Sequence, residues 1–128
     1  MNGEKLDIGS TADDLKPPEL MKELENSEVK CNIDKVIAIS KTRENKIIWL
    51  EKGNSQSGYT HIVERHLNDF AERGIADIPK FLNKILETEP VKSGTNKKGN
   101  FADYVFNGKK FRLAYGNNGY IVSFYPID

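Results

Sequence analysis

The pattern of apolar and polar residues changes period three times along the chain. Residues 17–27, 57–75 and 77–90 carry an apolar residue every three or four positions, which is typical of helices that bury one face. Residues 35–40 ("KVIAIS") and 46–53 ("KIIWLEKG") are instead β-branched runs separated by a polar segment, which is a hairpin signal. Because these two runs are almost continuously apolar, we expect them to be buried on both faces or beneath the helices.

The last third of the chain has a two-residue period. The segments "ADYVF", "KKFRLAYG" and "YIVSFYPI" alternate in polarity and are separated by "NG" at 107–108 and "GNNG" at 116–119. Asn-Gly favours a tight hairpin, since type I′ turns need a positive φ at both central residues. "PVKSG", residues 90–94, is a candidate fourth strand. These patterns predict an α+β fold in which N-terminal helices pack on one C-terminal antiparallel sheet.

The length of 128 residues suits a single domain with its own core. Residues 1–15 are acidic and lack periodicity, which predicts a loose lead-in before a domain at 16–128. Within the domain, Ser57 or Thr60 is expected to cap the middle helix and Gly74 to end it. The third helix is expected to begin near Pro79 and to stop at Pro90.

Composition narrows the class of protein. A single cysteine, Cys31, excludes an internal disulfide and suits a reducing compartment. No apolar run approaches the ~18 residues of a membrane span, and the chain does not open on a signal peptide. The net charge is zero, but residues 1–30 carry −4 and residues 90–128 carry +4. The basic end is either a surface that attracts phosphate or an ordinary solvated surface.

The two histidines of the chain lie on the middle helix. His61 and His66 are five residues apart, about 140° around a helix, whereas metal-binding helices place two histidines four apart. With one cysteine and no third histidine, we expect no metal site. His61 lies beside Glu64 and Arg65 and is a candidate exposed acid or base. His66 flanks the apolar stripe, where a half-buried histidine bonded to backbone is the expected alternative to a functional one.

The alternation of side chains between the two faces of a strand brings a second set of polar residues together. Arg112, Ser123 and Tyr125 fall on one face if the neighbouring aromatic residues face the helices. An arginine with two hydroxyls suits a phosphate group, although Ser123 could equally be a sheet filler and Tyr125 a core residue. The segment "KSGTNKKGN", expected to be a flexible loop, lacks the spacing of a nucleotide-binding P-loop. It adds Lys92, Thr95, Lys97 and Lys98.

The order of these segments resembles a known group of nucleases. "GYTHIVERHLNDF", "IPKFLNKIL" and "FNGKKFRLAYG", followed by "NGYIVSFYPI", resemble the small domains of the barnase–EndoU–colicin–RelE superfamily over residues 45–128. The nearest likeness is to domains at the C-terminal ends of bacterial polymorphic and contact-dependent-inhibition toxins and in prophage proteins. The most telling parts are "THIVERH" on the helix and the closing "VSFYPI".

The resemblance implies a metal-independent ribonuclease without a cofactor, often directed at tRNA. It makes His61 the general base and His66 a second acid or base, with Arg112 stabilising phosphate charge. Ser123 and Tyr125 would bind or protonate. RNA cleavage needs a base for the 2′-hydroxyl, a cation for the phosphorane and an acid for the leaving oxygen. The candidate RNA-binding residues are Lys92, Thr95, Lys97, Lys98, Tyr104 and Lys110.

The resemblance also predicts the biological setting. Such a domain would be part of a larger secreted toxin, act in the cytoplasm of a target cell and be neutralised by a cognate immunity protein. The main alternative is a non-enzymatic phage or adaptor domain that keeps the fold without the chemistry. A deoxyribonuclease is a further alternative, which should need a divalent metal.

Overall fold

A computed structural model describes residues 15–127 of the chain. The lead-in expected at 1–15 lies outside the described residues except for Leu15, whose carbonyl oxygen accepts a hydrogen bond from Asn83 Nδ2 at 3.2 Å. The helices are α1 (Pro18–Asn26), α2 (Tyr59–Ala71) and α3 (Ile78–Ile85), with a 3₁₀ turn at Ile33–Lys35. The strands are β1 (Val36–Lys41), β2 (Ile47–Glu51), β3 (Lys92–Asn96), β4 (Gly99–Phe106), β5 (Lys109–Tyr115) and β6 (Ile121–Ile127).

Helix α2 begins at a glycine rather than at a hydroxyl cap. Its N-cap is Gly58, with φ 86°, and neither Ser57 nor Thr60 caps the helix, so the expectation of a hydroxyl cap was wrong. The Ser57 hydroxyl is instead bonded to the Tyr120 hydroxyl at 2.9 Å. The predicted stop at Gly74 is confirmed, because its φ of 78° turns the chain back onto the last turn of the helix.

Helix α3 is shorter than predicted. The Asp77 carboxylate accepts a hydrogen bond from Lys80 N at 3.1 Å, and Pro79 lies in the first turn, as expected. The helix ends at Ile85 instead of Pro90. The Thr88 hydroxyl donates to the Ile85 carbonyl oxygen at 2.7 Å, and this bond satisfies one of the terminal carbonyls that a longer helix would have used.

The strands form two antiparallel sheets, not the single sheet predicted. β1 pairs with β2, and a second sheet has the order β3-β4-β5-β6. A hydrogen bond from Trp49 N to the Gly119 carbonyl oxygen, 3.0 Å long, links the two just before β6 begins. The fourth strand expected at 90–94 is confirmed as β3. The segment expected to be a flexible loop is therefore a β3–β4 hairpin, with Lys97 and Lys98 in its turn.

The core lies between the helices and one face of the four-stranded sheet. Phe70 of α2 and Phe81 of α3 pack on Phe111 and Phe124 of the sheet, with ring centroids between 4.9 and 6.4 Å apart. The β1–β2 hairpin is buried on both faces, as its apolar sequence predicted. Ala38, Ile48 and Leu50 enter this core, while Val36, Ile39 and Trp49 form a second cluster with Leu24 of α1.

The predicted α+β class is confirmed. Burial of a helix face and one sheet face against each other is the usual solution for a fold of this class. Within residues 15–127, every helix is too short or too polar to cross a lipid bilayer.

Candidate active site

The register of the four-stranded sheet brings polar residues of four strands into one row. We call the face that packs on the helices the inner face and the opposite face the outer face. Lys92 of β3 pairs with Asp103 of β4, Asp103 with Arg112 of β5, and Arg112 with Tyr125 of β6. Directly paired residues project to the same side of a sheet, so all four lie on the outer face.

Arg112 is held by two hydrogen bonds that it donates to its neighbour in the row, Asp103. Its Nε donates to Asp103 Oδ1 at 2.7 Å and its Nη2 to Asp103 Oδ2 at 2.9 Å. The Asp103 side chain is 6% exposed and the Arg112 side chain 31%. The hydrogen bond to Asp103 raises the pKa of Arg112 above its ordinary value, with smaller contributions from Tyr125. The guanidinium also lies over the Phe101 ring, 4.6 Å from its centroid, so it is both charged and fixed in position.

Helix α2 adds His66 to the end of this row. Gly58 N donates to the Val122 carbonyl oxygen at 2.9 Å, which brings the start of the helix beside the edge strand β6. The His66 ring stacks on Tyr125 with centroids 5.2 Å apart and planes 24° apart. Its Nδ1 lies 3.1 Å from Asp69 Oδ2, one helical turn away. His66 is thus half-buried as expected, but its partner is a carboxylate and not the backbone.

His61 is the histidine that bonds to the backbone. Its Nδ1 lies 3.0 Å from the Ser55 carbonyl oxygen. A carbonyl oxygen only accepts, so Nδ1 carries the hydrogen and the neutral ring keeps its lone pair on Nε2. The centroids of the His61 and His66 rings are 6.3 Å apart, and the planes are 82° apart. Two imidazoles that the helical spacing separates by about 140° therefore still converge beside the outer face.

Ser123 shares the outer face but is not available to a ligand. It pairs with Ala114, its side chain is buried, and Oγ has no hydrogen-bond partner among the described residues. A bulge at Val122 separates this pair from the Tyr115–Ile121 pair, so Ile121 turns into the core. The position of Ser123 fits the sheet-filler alternative better than contact with phosphate.

The candidate RNA-binding residues divide between the two faces. Lys92 belongs to the row, and Lys110 lies on the outer face between Val105 and Ile127. Tyr104 is buried on the inner face, and Thr95 pairs with Asn100 on that same side. Lys97 and Lys98 occupy the β3–β4 turn. The structure therefore brings two of these six residues onto the face that holds Arg112.

Two carboxylates of the site were missed by sequence reasoning. Asp69 follows His66 by three residues on the helix, and that spacing was a usable signal because such residues are neighbours on a helix surface. Asp103 gave no such signal, since its pairing with Arg112 depends on the strand register. As a result, His66 and Arg112 each have a carboxylate as a hydrogen-bond partner.

Among residues 15–127, no group of three or more histidine, cysteine, aspartate or glutamate side chains is arranged to hold a metal ion. The groups that meet beside the outer face include two imidazoles, a phenol and a guanidinium. A comparison with protein-family models finds no match, and a comparison with curated proteins likewise finds none.

Proposed function

We propose that this chain is a metal-independent ribonuclease that cleaves tRNA and leaves a 2′,3′-cyclic phosphate. The observation that carries the proposal is the continuous contact from His66 through Tyr125 to Arg112, with His61 at 6.3 Å from His66. A general base, a general acid and a fixed cation are the elements that RNA transesterification needs. The sequence resemblance to the barnase–EndoU–colicin–RelE superfamily supports the same reaction.

Each step of the reaction has a candidate group. His61 Nε2, with its free lone pair, takes the proton of the 2′-hydroxyl, and the 2′-oxygen attacks phosphorus. The bond from phosphorus to the 5′-oxygen breaks, and protonated His66 returns a proton to that oxygen. Arg112 stabilises the phosphorane, since a guanidinium has five N–H donors and Asp103 occupies two of them. Tyr125 orients His66 by stacking and donates to a phosphoryl oxygen.

We further propose that the domain works as the toxic part of a larger secreted protein, in the cytoplasm of a target cell. A producing cell then needs a cognate immunity protein that blocks the nuclease. Lys92, Lys110 and Arg112 on the outer face offer positive charges to an acidic inhibitor.

The test is an incubation of purified protein with total tRNA in excess EDTA. We expect discrete fragments with cyclic-phosphate ends, read on a denaturing gel and by end-group chemistry. His61→Ala and His66→Ala should each lower the rate by about 10²–10⁴-fold, the usual contribution of a general acid or base. Arg65→Ala removes an exposed charge from the same helix and should leave the rate unchanged. Intact tRNA with folded wild-type protein would contradict the proposal.

One observation favours a second candidate, a non-enzymatic interaction domain. The Asp103 carboxylate already compensates the charge of Arg112, so the outer face is less cationic than the arginine alone suggests. Under this alternative the row Lys92–Asp103–Arg112 docks a partner protein and no RNA is cut. Unchanged growth inhibition by His61→Ala and His66→Ala variants in cells would favour it.

A further inference from the structure

A cavity of about 250 Å³ opens on the inner face of the four-stranded sheet, on the side away from Arg112. The helices leave this end of the inner face uncovered, and the β1–β2 turn and the segment 88–90 form the opposite wall. Ala102, Leu113 and Ile48 provide apolar surface at its base. The cavity is smaller than the roughly 300–1,000 Å³ of sites for drug-sized ligands, so it suits a single ring system.

Two tyrosines supply directed hydrogen-bond donors in this cavity. Burial raises the pKa of Tyr104 to about 12, with further contributions from Tyr115 and from Glu44. Burial and the charge of Glu44 also raise the pKa of Tyr115. Both phenols therefore keep their hydrogens at neutral pH, and each can donate one hydrogen bond. Glu44, on the cavity wall, adds an acceptor beside them.

The charges around the cavity balance. Arg43 and Lys46 line it together with Glu44 and Glu89. Lys46 Nζ already donates to the Asn117 carbonyl oxygen at 2.8 Å. Because two cations face two anions, the cavity has no bias towards a highly charged ligand. A neutral molecule with donors and acceptors on one edge fits this balance better than a free anion does.

We propose that this cavity binds a single nucleobase. A purine or pyrimidine is neutral and planar, stacks on an aromatic side chain, and presents acceptors to phenol hydrogens and an amino group to a carboxylate. An aliphatic ligand of the same size would leave the buried phenol of Tyr104 without a partner, which is costly. The site is separate from the outer face, so the proposal stands or fails independently of RNA cleavage.

The experiment follows backbone amides of the ¹⁵N-labelled full chain by NMR while cytidine, uridine, adenosine, guanosine or ribose is added. We expect at least one nucleoside to shift the amides of Ser93, Ala102 and Tyr104, and ribose to shift none of them. Tyr104→Phe should weaken the binding of that nucleoside roughly two- to tenfold, the usual effect of losing one neutral hydrogen bond. The second arm adds a short single-stranded oligoribonucleotide. If the same amides shift, the natural ligand is a base within RNA. If they do not shift, the natural ligand is a free nucleoside.

A matched pair of variants keeps the test independent of Tyr104. Ser93 is exposed, lies on β3 and lines the cavity, so Ser93→Phe should fill the opening and abolish the shifts. Val105→Phe changes an exposed residue on the outer face of the same sheet, which does not line the cavity, and should leave binding unchanged. No shift with any nucleoside at millimolar concentration would overturn the proposal, and so would binding that survives Ser93→Phe.

Discussion

The imidazole of His66 lies nearly parallel to the phenol ring of Tyr125, with 5.2 Å between the ring centroids. This contact joins helix α2 to the edge strand β6 on the outer side of the sheet, away from the aromatic core. Tyr125 in turn pairs with Arg112, whose guanidinium is fixed by Asp103. The stack is therefore the point at which an acid–base group from the helix meets a cation from the sheet.

Asp69 is expected to position His66 for catalysis. Its carboxylate lies 3.1 Å from His66 Nδ1 and holds the ring with Nε2 directed away from Asp69. If the proposed ribonuclease activity holds, Asp69→Asn should lower kcat roughly ten- to hundredfold and leave KM nearly unchanged, which is less than the ~10²–10⁴-fold of a lost acid–base group. Single-turnover cleavage of tRNA measures this. Glu64→Gln, on the exposed side of the same helix, is the control.

Arg112 is expected to matter for stability as well as for phosphate binding. In Arg112→Ala the Asp103 carboxylate, 6% exposed, loses a bidentate partner, and the free energy of unfolding should fall by about 1–3 kcal/mol. Urea denaturation measures the change. The double variant Asp103→Ala/Arg112→Ala removes the unpaired carboxylate and should recover part of the loss. A double variant less stable than Arg112→Ala would contradict this account.

Phe70 is expected to be the main anchor of α2. It is fully buried and contacts the rings of Phe81, Phe111 and Phe124, so Phe70→Ala should lower the free energy of unfolding by about 3–5 kcal/mol. Leu67→Ala on the same helix changes a side chain that is 46% exposed, and should cost no more than about 0.5 kcal/mol. Equal losses in the two variants would show that α2 does not pack as described.

Gly58 and Gly74 offer a matched comparison at the two ends of α2. Both have positive φ, 86° and 78°, so alanine is strained at both positions, by about 1–3 kcal/mol. At Gly74 a Cβ meets no atom of residues 15–127 within 4 Å, whereas at Gly58 it would lie 2.9 Å from Gly53 Cα and 3.0 Å from the Glu51 carbonyl oxygen. Gly58→Ala should therefore be clearly more destabilising than Gly74→Ala. Thermal unfolding of both variants tests the difference.

Alkaline pH should destabilise the protein through Tyr104. Its pKa in the folded state is about 12, above the ordinary value of 10, mainly because burial disfavours the phenolate. A raised pKa contributes stability below pH 10 that is lost as the pH rises towards 12. In a spectrophotometric titration, Tyr104→Phe should remove a late-ionising tyrosine. A wild-type protein whose tyrosines all ionise together near pH 10 would contradict this prediction.

Local sequence signals determined most of the secondary structure. The hairpin at Asn107-Gly108, the stop at Gly74 and the two-sided burial of "KIIWLEKG" follow from backbone preferences and side-chain period, which act over a few residues. The same signals failed where the deciding partner is distant in sequence. Ser57, for example, bonds to Tyr120 instead of capping its own helix.

The sequence by itself determined the α+β class and the shared face of Arg112 and Tyr125, because alternation along a strand is a local property. Only the tertiary structure decided which groups meet across elements: His66 with Tyr125, Arg112 with Asp103, and the cavity between the β1–β2 turn and Tyr104. Strand register and the packing of α2 against β6 set those distances. Both depend on burying the aromatic core as a whole, which no single segment specifies.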